Sequence, residues 1–89
     1  MITKEVAITN KLGLHARAAA KFVTLASEFA SDIQVTRGAK RVNGKSIMGV
    51  MMLAAGNGSS VEIMADGPDE QDAVSRLEDL INRRFGEEV

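Results

Sequence analysis

His15 is the only histidine in the chain, and it stands in the run Gly13-Leu14-His15-Ala16-Arg17-Ala18-Ala19-Ala20-Lys21-Phe22-Val23, between a turn and a strong helix former. A helix start exposes unpaired backbone N–H groups and the positive end of the macrodipole, so an anion carried on an imidazole there meets donors already in place. The small side chains of Ala16 and Ala18 leave those amides accessible, and Arg17 adds a fixed charge with several donors in a planar fork. The chemistry that suits this arrangement is phosphoryl loading of the ring. Whichever ring nitrogen is unprotonated attacks the donor, while the backbone amides of Ala16 and Arg17 and the guanidinium steady the oxygens. Positioning and charge do most of the work in such a transfer, so a shallow site suffices, with the rest of the machinery supplied by larger partners. A surface histidine that only helps to start a helix is the plainer alternative, and the residue types around it argue against that reading.

A second serine-bearing segment carries chemistry of a different kind. Ser46 precedes Ile47, Met48, Val50, Met51, Met52 and Leu53, an apolar run that reads as a short helix with the Ser46 hydroxyl as its N-cap. Phosphate on that serine suits the helix dipole and changes surface charge without unfolding the domain. So apolar a segment cannot bury every side, which leaves Ile47, Met48 and Met51 as an adaptable docking patch for unlike partners. Gly44-Lys45-Ser46 invites comparison with a nucleotide phosphate loop, but five residues separate Gly38 from Gly44 where that motif needs four. Arg37, Lys40, Arg41 and Lys45 cluster locally, and a solvated hairpin explains them better than an RNA surface.

The elements that must position these residues follow from periodicity. Thr3 to Thr9 alternates as a strand with Val6 and Ile8 on one face. Ala16 to Phe29 has helical spacing, with Ala18, Phe22, Leu25, Ala26 and Phe29 as its stripe. Ile33 and Val35 begin a pair of partly exposed strands that turns at Arg37-Gly38-Ala39-Lys40 and runs through Val42, and Val61 to Ala65 forms a fourth strand. Gly67-Pro68-Asp69-Glu70 starts a last helix with proline near its first position. Its stripe is Val74, Leu77, Leu80, Ile81 and Phe85, Arg83 and Arg84 suit its C-terminal dipole, and Gly86 is its expected stop. The order β-α-β-β-α-β-α predicts an α+β open-faced sandwich, a mostly antiparallel four-stranded sheet with three helices on one face.

Composition removes other classes. At 89 residues the chain is a single domain, residues 1–89, too short for a nucleotide fold plus a substrate cleft. With 45% hydrophobic and 26% charged residues it has the balance of a soluble globular protein, and a net charge of −1 gives no general pull toward nucleic acid or acidic membranes. There is no cysteine for disulfides or thiolate chemistry, and one histidine makes a metal site implausible, so no cofactor or metal is expected. No apolar stretch approaches the ~20 residues of a membrane span, and the N-terminus lacks the order of a signal peptide, so the expected setting is the cytoplasm. Phe22, Phe29 and Phe85 are the only aromatic residues, too few for a base-stacking surface.

Two motifs give the chain a family resemblance over essentially its whole length: Gly-Leu-His-Ala-Arg at 13–17 and Lys-Ser-Ile-Met-Gly-Val-Met at 45–51. In these it resembles HPr, the histidine-containing phosphocarrier of the bacterial sugar phosphotransferase system. The resemblance implies a sheet of strand order 1-4-2-3 and a stoichiometric carrier rather than an enzyme. It implies that His15 takes a phosphoryl group on Nδ1 from phosphoenolpyruvate through Enzyme I, with Arg17 assisting, and hands it to Enzyme IIA. Ser46 resembles the serine modified by HPr kinase/phosphorylase, with Ile47, Met48 and Met51 as the docking surface. Nothing in the pattern demands more than a monomer. Many members have proline where Ala18 stands and a small polar residue where Leu12 stands; Leu12 is closer to the nitrogen-related branch, NPr, whose regulatory role without sugar transport is the alternative expectation.

Overall fold

Alternating apolar residues set the sheet. In the computed structural model, which describes residues 1–87, β1 (Ile2–Ala7), β2 (Asp32–Arg37), β3 (Lys40–Asn43) and β4 (Ser60–Asp66) form one antiparallel sheet of order β1-β4-β2-β3. Val6 lies opposite Val61, and Val35 opposite Ile63, which puts Val6, Ile33, Val35, Val61, Ile63 and Ala65 on a single buried face. Thr3, Glu5 and Glu62 point the other way and stay exposed. The architecture is the predicted open-faced sandwich. β2 is partly exposed, as its sequence suggested: it sits between β3 and β4 with Ile33 and Val35 buried, while Asp32 and Arg37 stay exposed.

α1 (Ala16–Ala26), α2 (Ile47–Met52) and α3 (Glu70–Asn82) cover the buried face. α1 packs against both other helices, and α3 lies along β1 and β4. The alanines of α1 give it propensity and let it sit close, with Ala18, Ala19, Phe22, Val23 and Ala26 buried. Leu25 is only half buried, since the buried stripe runs through Ala19 and Val23 instead. The helix stops three residues short of the predicted Phe29: Glu28 and Phe29 donate to the carbonyls of Leu25 and Ala26 at 3.0 and 3.2 Å, tightening the last turn so that Phe29 tucks into the core.

α3 begins later than its sequence suggested. Pro68 lies two residues before the first helical residue, and the Asp69 carboxylate does not cap its own helix. It accepts instead from Ala30 N, Ser31 N and Ser31 Oγ at 2.8, 3.0 and 2.5 Å, tying the start of α3 to the segment that leads into β2. At the far end α3 stops at Asn82, not at Gly86. A 3-10 turn, Arg84–Gly86, follows with left-handed φ at Arg84, Phe85 and Gly86 (56°, 56° and 79°), and it swings Phe85 back into the core. Burying Phe85 returns about 1.5–3 kcal/mol, the same order as holding non-glycine residues in that conformation costs.

The basic residues of the β2–β3 hairpin are exposed, as expected, and Arg37, Lys40 and nearby Lys45 also tie down backbone carbonyls. Arg37 Nη1 and Lys40 Nζ donate to the carbonyls of Leu53 and Met52 at the end of α2, at 3.0 and 3.3 Å, and Lys45 Nζ donates to Phe29 O at 2.8 Å. Arg37 and Lys40 supply from outside the helix the positive charge that the last turn of α2 lacks.

Candidate functional site

The site is built from the loop after β1, the first turn of α1 and the turn after α3. Gly13 has φ 66°, and a Cβ there would fall 2.5 Å from the Ala55 carbonyl oxygen and 2.7 Å from Gly56 Cα. Only glycine fits between these backbones, and Leu14 N then bonds Ala55 O at 2.9 Å. The loop is thereby fixed against the segment after α2, and His15 arrives as the N-cap of α1 in extended conformation.

As an N-cap, histidine is unusual, and the ring does what a serine hydroxyl does elsewhere. His15 Nδ1 accepts from the Arg17 backbone N–H at 3.3 Å. On the other side of the ring, Nε2 meets the Glu87 carboxylate at Oε2. An ionised carboxylate only accepts, so the proton sits on Nε2 and the lone pair on Nδ1, aimed at the helix N-terminus. The ring is about one-quarter exposed at 26%, Glu87 less so at 19%. Arg17 and Ala16 are exposed beside it, and Leu12, His15, Ala16, Arg17 and Glu87 line an open hollow of about 490 Å³.

Asn10 completes the arrangement from beneath. Fully buried, it donates from Nδ2 to Gly13 O at 2.8 Å and to Glu87 Oε1 at 2.9 Å. The bond from Asn10, and next that from His15, hold the Glu87 carboxyl below the usual carboxylate range. Among the described residues Asn10 Oδ1 has no hydrogen-bond partner. Neither Asn10 nor Glu87 stood out as a functional residue in the sequence. Glu87 lies 72 positions from His15, and the one signal near it was Gly86, which permits a left-handed turn.

Against known proteins, a family model described as "PTS HPr component phosphorylation site" matches residues 2–83. The phosphocarrier protein HPr of Cupriavidus necator is 55% identical over 98% of this chain and 98% of its own length. The chain belongs to the HPr phosphocarrier family. Among solved HPr structures, HPr-C-His from Thermoanaerobacter tengcongensis is 49% identical, covers both chains in full and superposes with a TM-score of 0.96. An HPr dimer from the same organism is 51% identical over 92% of this chain and 94% of that one, with a TM-score of 0.79. These relatives carry the HPr name, and none of them favours the NPr alternative.

On this HPr fold Ser46 is the N-cap of α2, its Oγ accepting from Gly49 N at 3.1 Å, as its sequence predicted. α2 packs against α1, so the serine and the His15 loop belong to neighbouring helices. Ile47, Met48 and Met51 are exposed at 44%, 75% and 41%, and Met52 on the same helix and Leu12 beside the His15 hollow are exposed too. Gly44-Lys45-Ser46 joins β3 to a six-residue helix, which rules out a nucleotide loop. Among the described residues no helix is long and apolar enough to cross a membrane, and no cluster of metal-ligating side chains occurs.

Proposed function

We propose that the chain cycles between free and His15-phosphorylated forms in the cytoplasm, accepting a phosphoryl group from phosphoenolpyruvate through Enzyme I and passing it to an Enzyme IIA component. The observation that carries this reading is the orientation of the imidazole: Nδ1 faces the Arg17 N–H at the start of α1, with its lone pair free of protons. A phosphoryl group on Nδ1 lies against the amides of Ala16 and Arg17 and within the field of the helix, and the exposed Arg17 guanidinium adds charge. The group is held, not hidden, which suits a stoichiometric carrier that must offer it to a partner's active site. Incubation with phosphoenolpyruvate and Enzyme I is expected to add one acid-labile phosphate that His15→Ala abolishes; label retained in the variant rejects the assignment.

Ser46 is proposed as a second, inhibitory site, the substrate of an HPr kinase/phosphorylase. Phosphate at the α2 N-cap suits the local dipole, so the fold tolerates it, but it sets a double charge beside Ile47 and Met48 and raises the desolvation cost of docking there. Ser46→Asp is expected to raise the KM for this chain as substrate of Enzyme I with little change in thermal stability. Unchanged transfer kinetics would remove the regulatory role.

A further inference from the structure

Three of the five methionines fall in α2, and packing does not account for them. Val50 is the buried residue of that helix, whereas Met48 and Met52 are 75% and 64% exposed and Met51 is 41% exposed. Filling irregular gaps in a core is methionine's usual structural service, and side chains as exposed as Met48 and Met52 perform little of it. Leucine at the same positions would offer a similar apolar area. What the thioether adds is a sulfur lone pair open to oxidants, and with no cysteine in the chain no thiol draws the oxidant away. The helix itself is held by bonds that involve no sulfur: Ser46 Oγ accepts from Gly49 N, and Arg37 and Lys40 donate to the carbonyls of Leu53 and Met52. A polar group added to the sulfurs on this face therefore changes the surface and leaves the fold.

We propose that Met48 and Met52, with Met51 next to them, form a reversible oxidation site at which hydrogen peroxide switches the α2 docking patch off. The inference rests on the reading of that patch as the surface Enzyme I binds. The sulfur lone pair attacks one peroxide oxygen, the O–O bond breaks, and the other oxygen leaves as water carrying both protons. Sulfur is oxidised by two electrons and the peroxide is reduced by two. The sulfoxide is polar where the thioether was apolar and adaptable, and its oxygen must give up water when an apolar partner surface closes over it. A sulfoxide reductase reverses the change with a dithiol, whose two electrons release the oxygen as water; the chain, lacking cysteine, supplies no such dithiol itself. The two other methionines lie elsewhere. Met64 is half-buried on β4, in register with Thr3 and Gln34, and Met1 is exposed with its amine against Asp66 and Glu70.

Hydrogen peroxide is the probe. The whole chain is treated with it, freed of it by catalase, and then offered to phosphoenolpyruvate and Enzyme I. Mass spectrometry is expected to find one added oxygen on Met48 and on Met52 before Met64 takes any. The KM of the oxidised chain as substrate of Enzyme I is expected to rise about tenfold at unchanged kcat and melting temperature, the effect of one unpaired polar group in a closed surface. A methionine sulfoxide reductase with dithiothreitol is expected to restore it. In the triple variant Met48→Leu, Met51→Leu, Met52→Leu, peroxide still reaches Met1, and KM is expected to hold at that variant's own starting value. Met64 oxidised as fast as Met48, an unchanged KM after oxidation, a KM rise that follows loss of fold, or an equal rise in the triple variant overturns the inference. Met48→Gln, polar without any oxidant, tells the two readings apart. A raised KM there beside an unmoved KM in the oxidised chain sinks the oxidation site alone, and an unmoved KM in both strikes the docking patch as well.

Discussion

At the level of single residues, the site depends on Gly13 as much as on His15. Gly13 lets the β1–α1 loop approach the backbone at Ala55 and Gly56, and no side chain can share that space. Gly13→Ala is expected to destabilise the fold by about 2–4 kcal/mol, through a positive φ and a backbone clash together. It also displaces the N-cap two residues on, so phosphoryl acceptance falls by more than the folded fraction does. Chemical denaturation and single-turnover labelling, run on one preparation, separate these effects; a stable variant with full transfer would contradict the geometry. The place of His15 at the start of α1, with Arg17 exposed beside it, was legible because a turn glycine followed by an alanine-rich run marks a helix start. Glu87 was not, since it reaches the ring through a left-handed turn that neither hydrophobic period nor helix-stop rules describe.

The elements show the same division. β1, β4, α1 and α2 follow from alternation, helical spacing and the Ser46 cap, and the structure returns them nearly as read. Boundaries moved where a competing bond won: α1 closed early in a 3-10 turn, and Asp69 left its own helix to bind Ala30 and Ser31. The basic hairpin was read as solvated and its residues are exposed, while two of them, Arg37 and Lys40, also reach the carbonyl end of α2. That end carries one strained residue, Ala54 at φ 50°, just past the helix. Ala54→Gly is expected to stabilise the protein by about 0.5–1 kcal/mol, the relief of a left-handed alanine less the added entropy of the unfolded chain. A higher urea midpoint with an unchanged slope confirms this, and a lower midpoint contradicts it.

For the whole molecule, stability and function meet in a few carboxylates that join distant segments. Asp69 is held below the usual aspartate range, first by the Ser31 hydroxyl, Glu70 below its usual range by Gly67 N–H, and Glu87 by Asn10. Each is depressed in the folded state, so its contribution is full above the ordinary carboxylate range, about pH 4, and is lost as pH falls through the lower folded value. Asp69→Asn is expected to lower stability at neutral pH and to flatten the acid limb of the stability curve; an acid limb as steep as in the parent protein would refute that share. The sheet, its strand order and the helix layer could be read before the structure because one buried face per element dictates them. The contacts that close the site span 72 and 77 positions, and such pairs exist only once the fold is made. The most direct test of the account is nitrogen–phosphorus coupling in the phosphorylated, nitrogen-labelled protein. Coupling to Nδ1 of His15 is the predicted result, and coupling to Nε2, or phosphate on any other residue, contradicts it.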